Sequence, residues 1–255
     1  MEKLSVYIIT LNEQARLPRT LEAAKKVADE IIVVDSGSTD KTCEIAESYG
    51  AKVIFHKWKN ISAQKKYAQE QCSHNLVLSL DADEVLSDQL IAEILHVKEY
   101  QTADAYKIKI ADMMPGDKKP SRFAKTYNLV RLYDKNKSTM PDDLTHDRVV
   151  LGQDLKVVQL KSLVYHYSYL TLTKTWDKYN AYTDELVKTA IATNKKYSLF
   201  RLIIEFPYQF FRYYFLKKMF LQGRFGFINA TTLAYFRFLK IAKWQEYYLM
   251  NKDKK

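Results

Sequence analysis

The sequence predicts an α/β chain built on a doubly wound, mostly parallel sheet, followed by a helical C-terminal region. Three observations carry this. Short β-rich apolar runs alternate with helical segments roughly every 20–30 residues through the first hundred positions. Beyond residue 103 the alternation gives way to runs suited to added strands of mixed direction. From residue 171 onward the pattern is nearly all helical, and from 196 the charge and aromatic content change as well.

Each element has a local reason. Leu4–Thr10 (LSVYIIT) reads as a buried strand because it is a short run rich in apolar β-formers. Residues 16–28 carry Leu17, Leu21, Ala24 and Val27 at helical spacing. Glu30–Asp35 (EIIVVD) is a second buried strand. Ser38, Thr39 and Asp40 offer cap oxygens to a helix running to about Tyr49, and Gly50 ends it. Lys52–Phe55 is a third strand, 62–71 a helix, 76–80 (LVLSL) a fourth strand and 87–97 a helix. Residues 105–110, 127–133 and 155–160 are the added strands. No repeat is visible.

Composition bounds the function. The chain has 255 residues, about 1.7 domains at roughly 150 residues each, so one large domain or one domain with an appendage. Apolar residues at 47% supply a core and exclude a wholly disordered chain. Two cysteines, Cys43 and Cys72, have no disulfide framework or metal-ligand spacing and read as small buried hydrophobes in a reducing compartment. No signal peptide and no long uncharged apolar run are apparent, so the expected compartment is the cytoplasm. The net charge of +10 is concentrated. Residues 196–255 hold twelve basic and three acidic residues, and 18 of the 34 aromatic residues, whereas residues 1–195 are near neutral.

The strongest chemical motif is Asp81-Ala82-Asp83-Glu84 directly after the fourth strand. Open parallel sheets bind ligands at the carboxyl ends of their strands. Carboxylates two apart there can hold a divalent cation that also meets phosphate oxygens. The plainer reading is a solvated acidic turn capping the next helix. Asp35 ends another strand and opens the small-residue loop Ser36-Gly37-Ser38-Thr39-Asp40. Thr10 and Glu13 lie at the end of the first strand, so three strand ends deliver polar groups to one edge. Asp35 and Glu13 suit a base and a ribose, and Asp40 suits a helix cap. Lys65 and Lys66, in Gln64-Lys65-Lys66, either neutralise a diphosphate or pair with a carboxylate, or else form a solvated helix face.

Together, TLNE (10–13), IVVDSGSTDKT (32–42), QKKYA (64–68) and LSLDADE (78–84) resemble the inverting family 2 glycosyltransferases of GT-A fold. The second half, with RLY (131–133), LTHD (144–147), HYS (166–168) and FLKKMFLQGRFG (215–226), is similar to the lipopolysaccharide-core β-1,4-glucosyltransferase subfamily. The resemblance implies a GT-A, Rossmann-like nucleotide-sugar-binding fold and transfer of a hexose, glucose foremost, from a UDP-sugar. It implies that Asp35 contacts the uracil and that Thr10 and Glu13 help hold the nucleoside. Asp81 would face the ribose or the metal, and Asp83 would ligate Mg2+ or Mn2+. His166 would be a further metal ligand, with a core or cap histidine as the other reading. Lys65 falls where relatives often carry A-R-N-x-G, so its role stays open. Asp147 is the candidate base, with Asp142 and Asp143 as competitors. Arg131 reads as a substrate-phosphate contact or as a strand-surface arginine.

The tail, LFRLIIEFPYQFFRYYFLKKMF (199–220) and TTLAYFRFLKIAKWQEYYL (231–249), mixes aromatics with cations. Pro207 is expected to divide the first run. Both runs suit helices lying on an anionic membrane surface, or else packing on the core or a second subunit. No nucleic-acid-binding motif is present. The expected organisation is a GT-A domain at 1–170 and a membrane-associating helical region at 171–255. The enzyme would then work peripherally on the cytoplasmic face of the inner membrane, on a lipid-linked oligosaccharide acceptor. The rivals are a polyprenyl-phosphate or capsule acceptor, a sugar nucleotidyltransferase, and a non-catalytic membrane scaffold.

Overall fold

The computed structural model describes residues 1–122, 124–141, 148–169 and 171–251. In chain order the first elements are β1 (Leu4–Thr10), α1 (Leu17–Ala24), β2 (Glu30–Asp35), α2 (Thr42–Ser48), β3 (Lys52–Phe55) and α3 (Ile61–Glu70). They are followed by β4 (Leu76–Asp81), β5 (Glu84–Leu86), α4 (Asp88–Glu99), β6 (Ala105–Asp112), β7 (Thr126–Asp134), β8 (Ser138–Thr139), β9 (Val150–Leu151) and β10 (Val157–His166). The helical remainder is α5 (Leu172–Ala192), α6 (Leu199–Phe211), a π-helical turn (Arg212–Leu216), a 3-10 turn (Met219–Gln222) and α7 (Gly223–Met250).

One sheet of order β3-β2-β1-β4-β7-β6-β10-β5 forms the centre, and β8 and β9 pair separately. The β3-β2, β2-β1, β1-β4 and β6-β10 pairings are parallel, and β4-β7, β7-β6 and β10-β5 are antiparallel. The sheet is therefore mostly parallel, with the helices α1 to α4 interleaved between its strands, which is the mixed α/β architecture expected of a GT-A fold. The parallel half buries both faces: Leu4, Val6 and Ile8 enter one cluster with Leu17, Leu21 and Leu78, while Tyr7 joins Ile32, Val34 and Val77 in another. Uninterrupted apolar runs are what a doubly covered sheet requires.

Two elements differ from expectation. β5 was hidden inside the acidic turn, three residues pairing with β10. β10 runs to His166 instead of ending at 160, because the polar Lys161-Ser162 pair sits in a bulge between Gln159 and Leu163. Their backbone N–H groups donate to the carboxylate of Glu93 at 2.9 and 3.0 Å, so the strand survives the interruption.

The chain forms two compact units, Met1–Met113 with Ala124–Ser168, and Met114–Phe123 with Tyr169–Lys255. The second has its own cluster of Val187, Ala190, Tyr197, Ile241 and Trp244. Pro207 does not divide the tail: α6 continues through it. A proline forfeits one N–H bond of a helix, and here the helix tolerates that loss. The break comes at Lys218, which adopts the left-handed conformation with φ 57°. Among the described residues no helix is long and apolar enough to cross a membrane. Cys72 is buried as expected, whereas Cys43 is only half-buried.

Candidate active site

The carboxyl ends of β2, β1 and β4, neighbours in the sheet, bring the candidate residues together. Thr10 ends β1 and Asp35 ends β2, and their Cα positions are paired in the parallel register. The Thr10 hydroxyl donates to Asp35 Oδ2 at 3.0 Å. Asp35 Oδ1 accepts the N–H groups of Gly37 (2.8 Å) and Ser38 (2.7 Å), and the Ser38 hydroxyl donates to Oδ2. Gly37 makes this turn with φ 106°, a conformation that side chains rarely adopt. Burial pushes the Asp35 carboxyl up, but the hydrogen bonds from Ser38, Gly37 and Thr10 outweigh it and hold the group below the usual range. Asp40 acts at the start of α2: Oδ1 accepts the Thr42 N–H at 3.0 Å, and Oδ2 accepts that of Gln14 at 3.3 Å.

Asp81, at the end of β4, lies between two cations. Lys65, 1% exposed on α3, places Nζ 2.7 Å from Asp81 Oδ1. Arg131 places NH2 3.1 Å from Asp81 Oδ2 and 2.8 Å from Glu84 Oε1. Burial would raise the Asp81 carboxyl, yet Lys65 and Arg131 prevail and hold it far below the carboxylate range. Glu84 goes the other way. Burial pushes it up to about 7 against the pull of Arg131, with the Asp81 charge adding to the rise. Glu84 also accepts the Asp81 N–H at 2.9 Å. Arg131 is thus neither a strand-surface residue nor open to solvent. The antiparallel insertion of β7 beside β4, with Leu132 opposite Leu78, buries it against the motif. Gln64, beside Lys65, spans Ser36 (2.7 Å) and the His56 carbonyl (2.9 Å), so the inner face of α3 serves both the β2 and β4 loops.

Asp83 faces elsewhere. Arg16 NH1 reaches its Oδ2 at 2.9 Å, and His166 Nε2 lies 3.5 Å from the same atom. The other ring nitrogen of His166 is held by Asp112 Oδ1 (2.8 Å) and the Tyr127 hydroxyl (2.9 Å). Burial lowers the imidazole pKa, but hydrogen bonds to Asp112 and Asp83 and the charges of Asp83 and Glu84 override it and raise it to about 10. Arg16 also binds the Glu13 carboxylate through Nε at 2.7 Å and through NH2, and it donates to the Tyr167 carbonyl at 3.3 Å. The backbone between the two aspartates is fixed as well. Thr20 Oγ1 donates to the Ala82 carbonyl at 2.9 Å, and the Tyr167 N–H to that of Asp83 at 2.8 Å.

Seven of the expected residues therefore converge: Thr10 on Asp35, Lys65 on Asp81, His166 on Asp83, with Glu13 joined to Asp83 through Arg16. Asp147 and its competitors Asp142 and Asp143 lie outside the described residues. Sequence reasoning missed Arg16, Asp112 and Tyr127. Arg16 had one signal, its i, i+3 spacing from Glu13. Asp112 and Tyr127 had none, since only strand pairing brings them to His166.

The donor set is oxygen-rich with one imidazole. Among the described residues no three His, Cys, Asp or Glu side chains gather as a closed metal cage. Asp83 and His166 Nε2 would suit a divalent cation of the Mg2+ or Mn2+ kind only once the cation displaces the imidazole proton and the Arg16 contact to Asp83, the remaining positions being filled by phosphate oxygens. The hold on His166 Nδ1 by Asp112 is the outer support that ligating histidines use.

Residues 5–149 match the family model described as Glycosyl transferase family 2. An uncharacterized glycosyltransferase of Rickettsia typhi is 37% identical over 99% of this chain and 90% of its own. The lipopolysaccharide core biosynthesis glycosyltransferase LpsC of Rhizobium meliloti is 30% identical over 94% of this chain and 91% of its own. Among solved structures, S. aureus TarS 1–349 in complex with UDP-GlcNAc aligns over 91% of this chain and 90% of its own at 15% identity, with a TM-score of 0.49. With a family model spanning more than half its length and relatives matching nearly all of it, the chain belongs to glycosyl transferase family 2 and is a glycosyltransferase of GT-A fold.

Proposed function

We propose that this glycosyltransferase moves a hexose, glucose foremost, from a UDP-sugar to a lipid-linked inner-core acceptor of lipopolysaccharide or lipooligosaccharide, with inversion at the anomeric carbon. The observation that carries the donor half is the convergence of Thr10, Glu13, Asp35, Asp81 and Asp83 at three adjacent strand ends. The likeness to LpsC supports the acceptor half. An acceptor borne on lipid would bring the enzyme to the cytoplasmic face of the inner membrane.

In this reading Asp35 and Glu13 shape the nucleoside site, and Thr10 orients Asp35. Lys65 and Arg131 keep Asp81 ionised at the ribose side. Asp83 and His166 would hold Mg2+ or Mn2+, which supplies positive charge against the departing diphosphate. Asp147, or else Asp142 or Asp143, takes the acceptor hydroxyl proton as that oxygen attacks the anomeric carbon from the face opposite UDP. Arg16 ties the Glu13 and Asp83 loops into one unit, so nucleoside and diphosphate sites hold a fixed spacing.

The test is calorimetric titration with UDP, with and without Mn2+ or Mg2+, then a screen of UDP-sugars for hydrolysis and transfer. Cation-dependent UDP binding and selective turnover of one sugar are expected. Asp83→Ala should lose cation-dependent turnover by about a hundredfold or more while keeping its circular-dichroism spectrum. Absence of UDP binding under every cation would remove the donor assignment, and full activity in the variant would remove the metal assignment.

A further inference from the structure

Helix α6 is built inside out. Its buried face carries Glu205 and Gln209, at 4% and 7% exposure. These bond to each other at 3.0 Å, and Arg201 Nε adds a 3.1 Å bond to Glu205. Its outward face carries Phe200 and Ile203, each 71% exposed, with Ile204, Tyr208 and Phe211 also exposed. A helix of a water-facing bundle orients its residues the other way, polar out and apolar in. The apolar face is one stripe: positions 200, 203/204, 207/208, 211 and 215 recur every three to four residues, carried on through the π-helical turn to Phe215 and Leu216. From 199 to 216 it extends about 26 Å at 1.5 Å per residue. Neither this span nor any other helix among the described residues can cross a bilayer.

The rim of the stripe is cationic. Lys217, Lys218 and Arg224 are exposed just beyond its end. Between 196 and 251 the acidic residues are Glu205 and Glu246, the first buried under α6 and the second near the far end of α7. Two copies meeting through this face would bring like-charged rims together without an acidic surface to answer them. Anionic phospholipid headgroups answer them directly, and an apolar face with flanking cations is the signature of a helix lying in the interface plane.

We propose that the α6 stripe is the bilayer-contacting surface. Phe200, Ile203, Phe211, Phe215 and Leu216 sit at the boundary of headgroups and acyl chains, and Lys217, Lys218 and Arg224 meet lipid phosphates. This rests on the reading of a lipid-borne acceptor only for its purpose, and its physical grounds are independent. It also divides the aromatic tail in two. The run at 231–249 is mostly consumed by packing: Phe236 lies against Trp176 and Tyr179, and Trp244 against Tyr197. Gly226, Ala230 and Ala234 are buried along the same helix. The lipid contact belongs to α6 and the turn after it.

The test uses the full chain with vesicles of phosphatidylcholine alone or mixed with phosphatidylglycerol, read by co-sedimentation. Wild type should bind the mixed vesicles, more weakly as salt rises. Phe200→Glu with Ile203→Glu should lower partitioning by about tenfold or more, with unchanged UDP-sugar hydrolysis. Lys217→Glu with Lys218→Glu should lose binding to the anionic vesicles. Should the first pair fold poorly, Phe200→Trp reports insertion as a blue shift in emission, relative to wild type, on adding vesicles. Three results would overturn the surface: wild type that ignores anionic vesicles, Glu variants that bind as wild type does, or a solution dimer that the Glu variants dissolve. UDP-sugar turnover in the same samples separates the two readings. Vesicle binding without turnover removes the donor assignment and leaves the surface, and turnover without vesicle binding does the reverse.

Discussion

Glu84 shows how a single side chain is used to hold others. It lies fully buried between Arg131 and the backbone of Asp81, and takes the proton-retaining role while Asp81 stays ionised. Two adjacent carboxyls sharing two cations divide in this way because the low-dielectric site cannot carry every charge equally. The division has a measurable sign. A carboxyl whose folded pKa is raised from 4.5 to about 7 favours the folded state below 4.5, and that favour is lost as pH climbs to about 7. Glu84→Gln cannot titrate, so its stability relative to wild type should rise between pH 4.5 and 7 and stay level above. Urea melts at pH 4.5, 6 and 8 check this, and a constant difference across them would contradict the assignment. Lys65 belongs to the same unit. The sequence leaves its role open, and the 2.7 Å contact with Asp81 places it as that carboxylate's partner.

Helices and strands were legible where their chemistry is continuous. β1, β2 and β4 are short runs rich in apolar β-formers that end in polar residues, so both their existence and their polar ends could be read directly. The Asn60 and Ser87 caps likewise start α3 and α4 close to the expected positions, their side-chain oxygens accepting from Ala63 and Leu90. Shorter or interrupted elements were not legible. β5 is three residues long, and β10 hides behind Lys161 and Ser162 until Glu93 is known to satisfy their N–H groups. The strands β6 and β7 were anticipated, but the partners of Asp112, Tyr127 and Arg131 were not, because their contacts arise from long-range strand pairing. The helix that matters most for the loop between Asp81 and Asp83 is α1, whose fully buried Thr20 fixes the Ala82 carbonyl. Thr20→Val keeps the shape and removes the donor. It should cost about 1–2 kcal/mol of stability, since a buried carbonyl loses its partner, and it should lower turnover more than UDP binding. Chemical denaturation and steady-state kinetics on one preparation check both.

At the scale of the molecule, two cores serve two purposes. The sheet core surrounds the strand ends that carry the candidate site, and a separate cluster around Ile241 and Trp244 supports the helices that bear the α6 stripe. Ile241→Ala removes fully buried volume from the second cluster alone, at a cost of about 2–5 kcal/mol. Amide exchange should then speed up in α5 and α7 while β1 and β4 keep their protection, and UDP binding should persist. Loss of protection in both units would mean that they unfold together. The sequence anticipated a helical region from about residue 171 by its pattern, and a change of charge and aromatic content from 196. It did not reveal which apolar residues of the tail face inward, because α6 and α7 have similar compositions while α6 buries Glu205 and Gln209 and α7 buries Phe236, Ile241 and Trp244.

The pairing of β5 with β10 sets a timetable for biosynthesis. Residues 84–86 leave the ribosome early, but their partner strand is residues 164–166, and Tyr167 closes the loop by donating to the Asp83 carbonyl. Until that late segment emerges, the nascent chain carries its acidic motif without the histidine and backbone contact that frame it. Such long-range closure is slow relative to local folding. The nascent enzyme is therefore expected to remain unable to engage its donor fully until the first unit is complete, so that a chain stalled before residue 157 exposes an unpaired strand and no working centre.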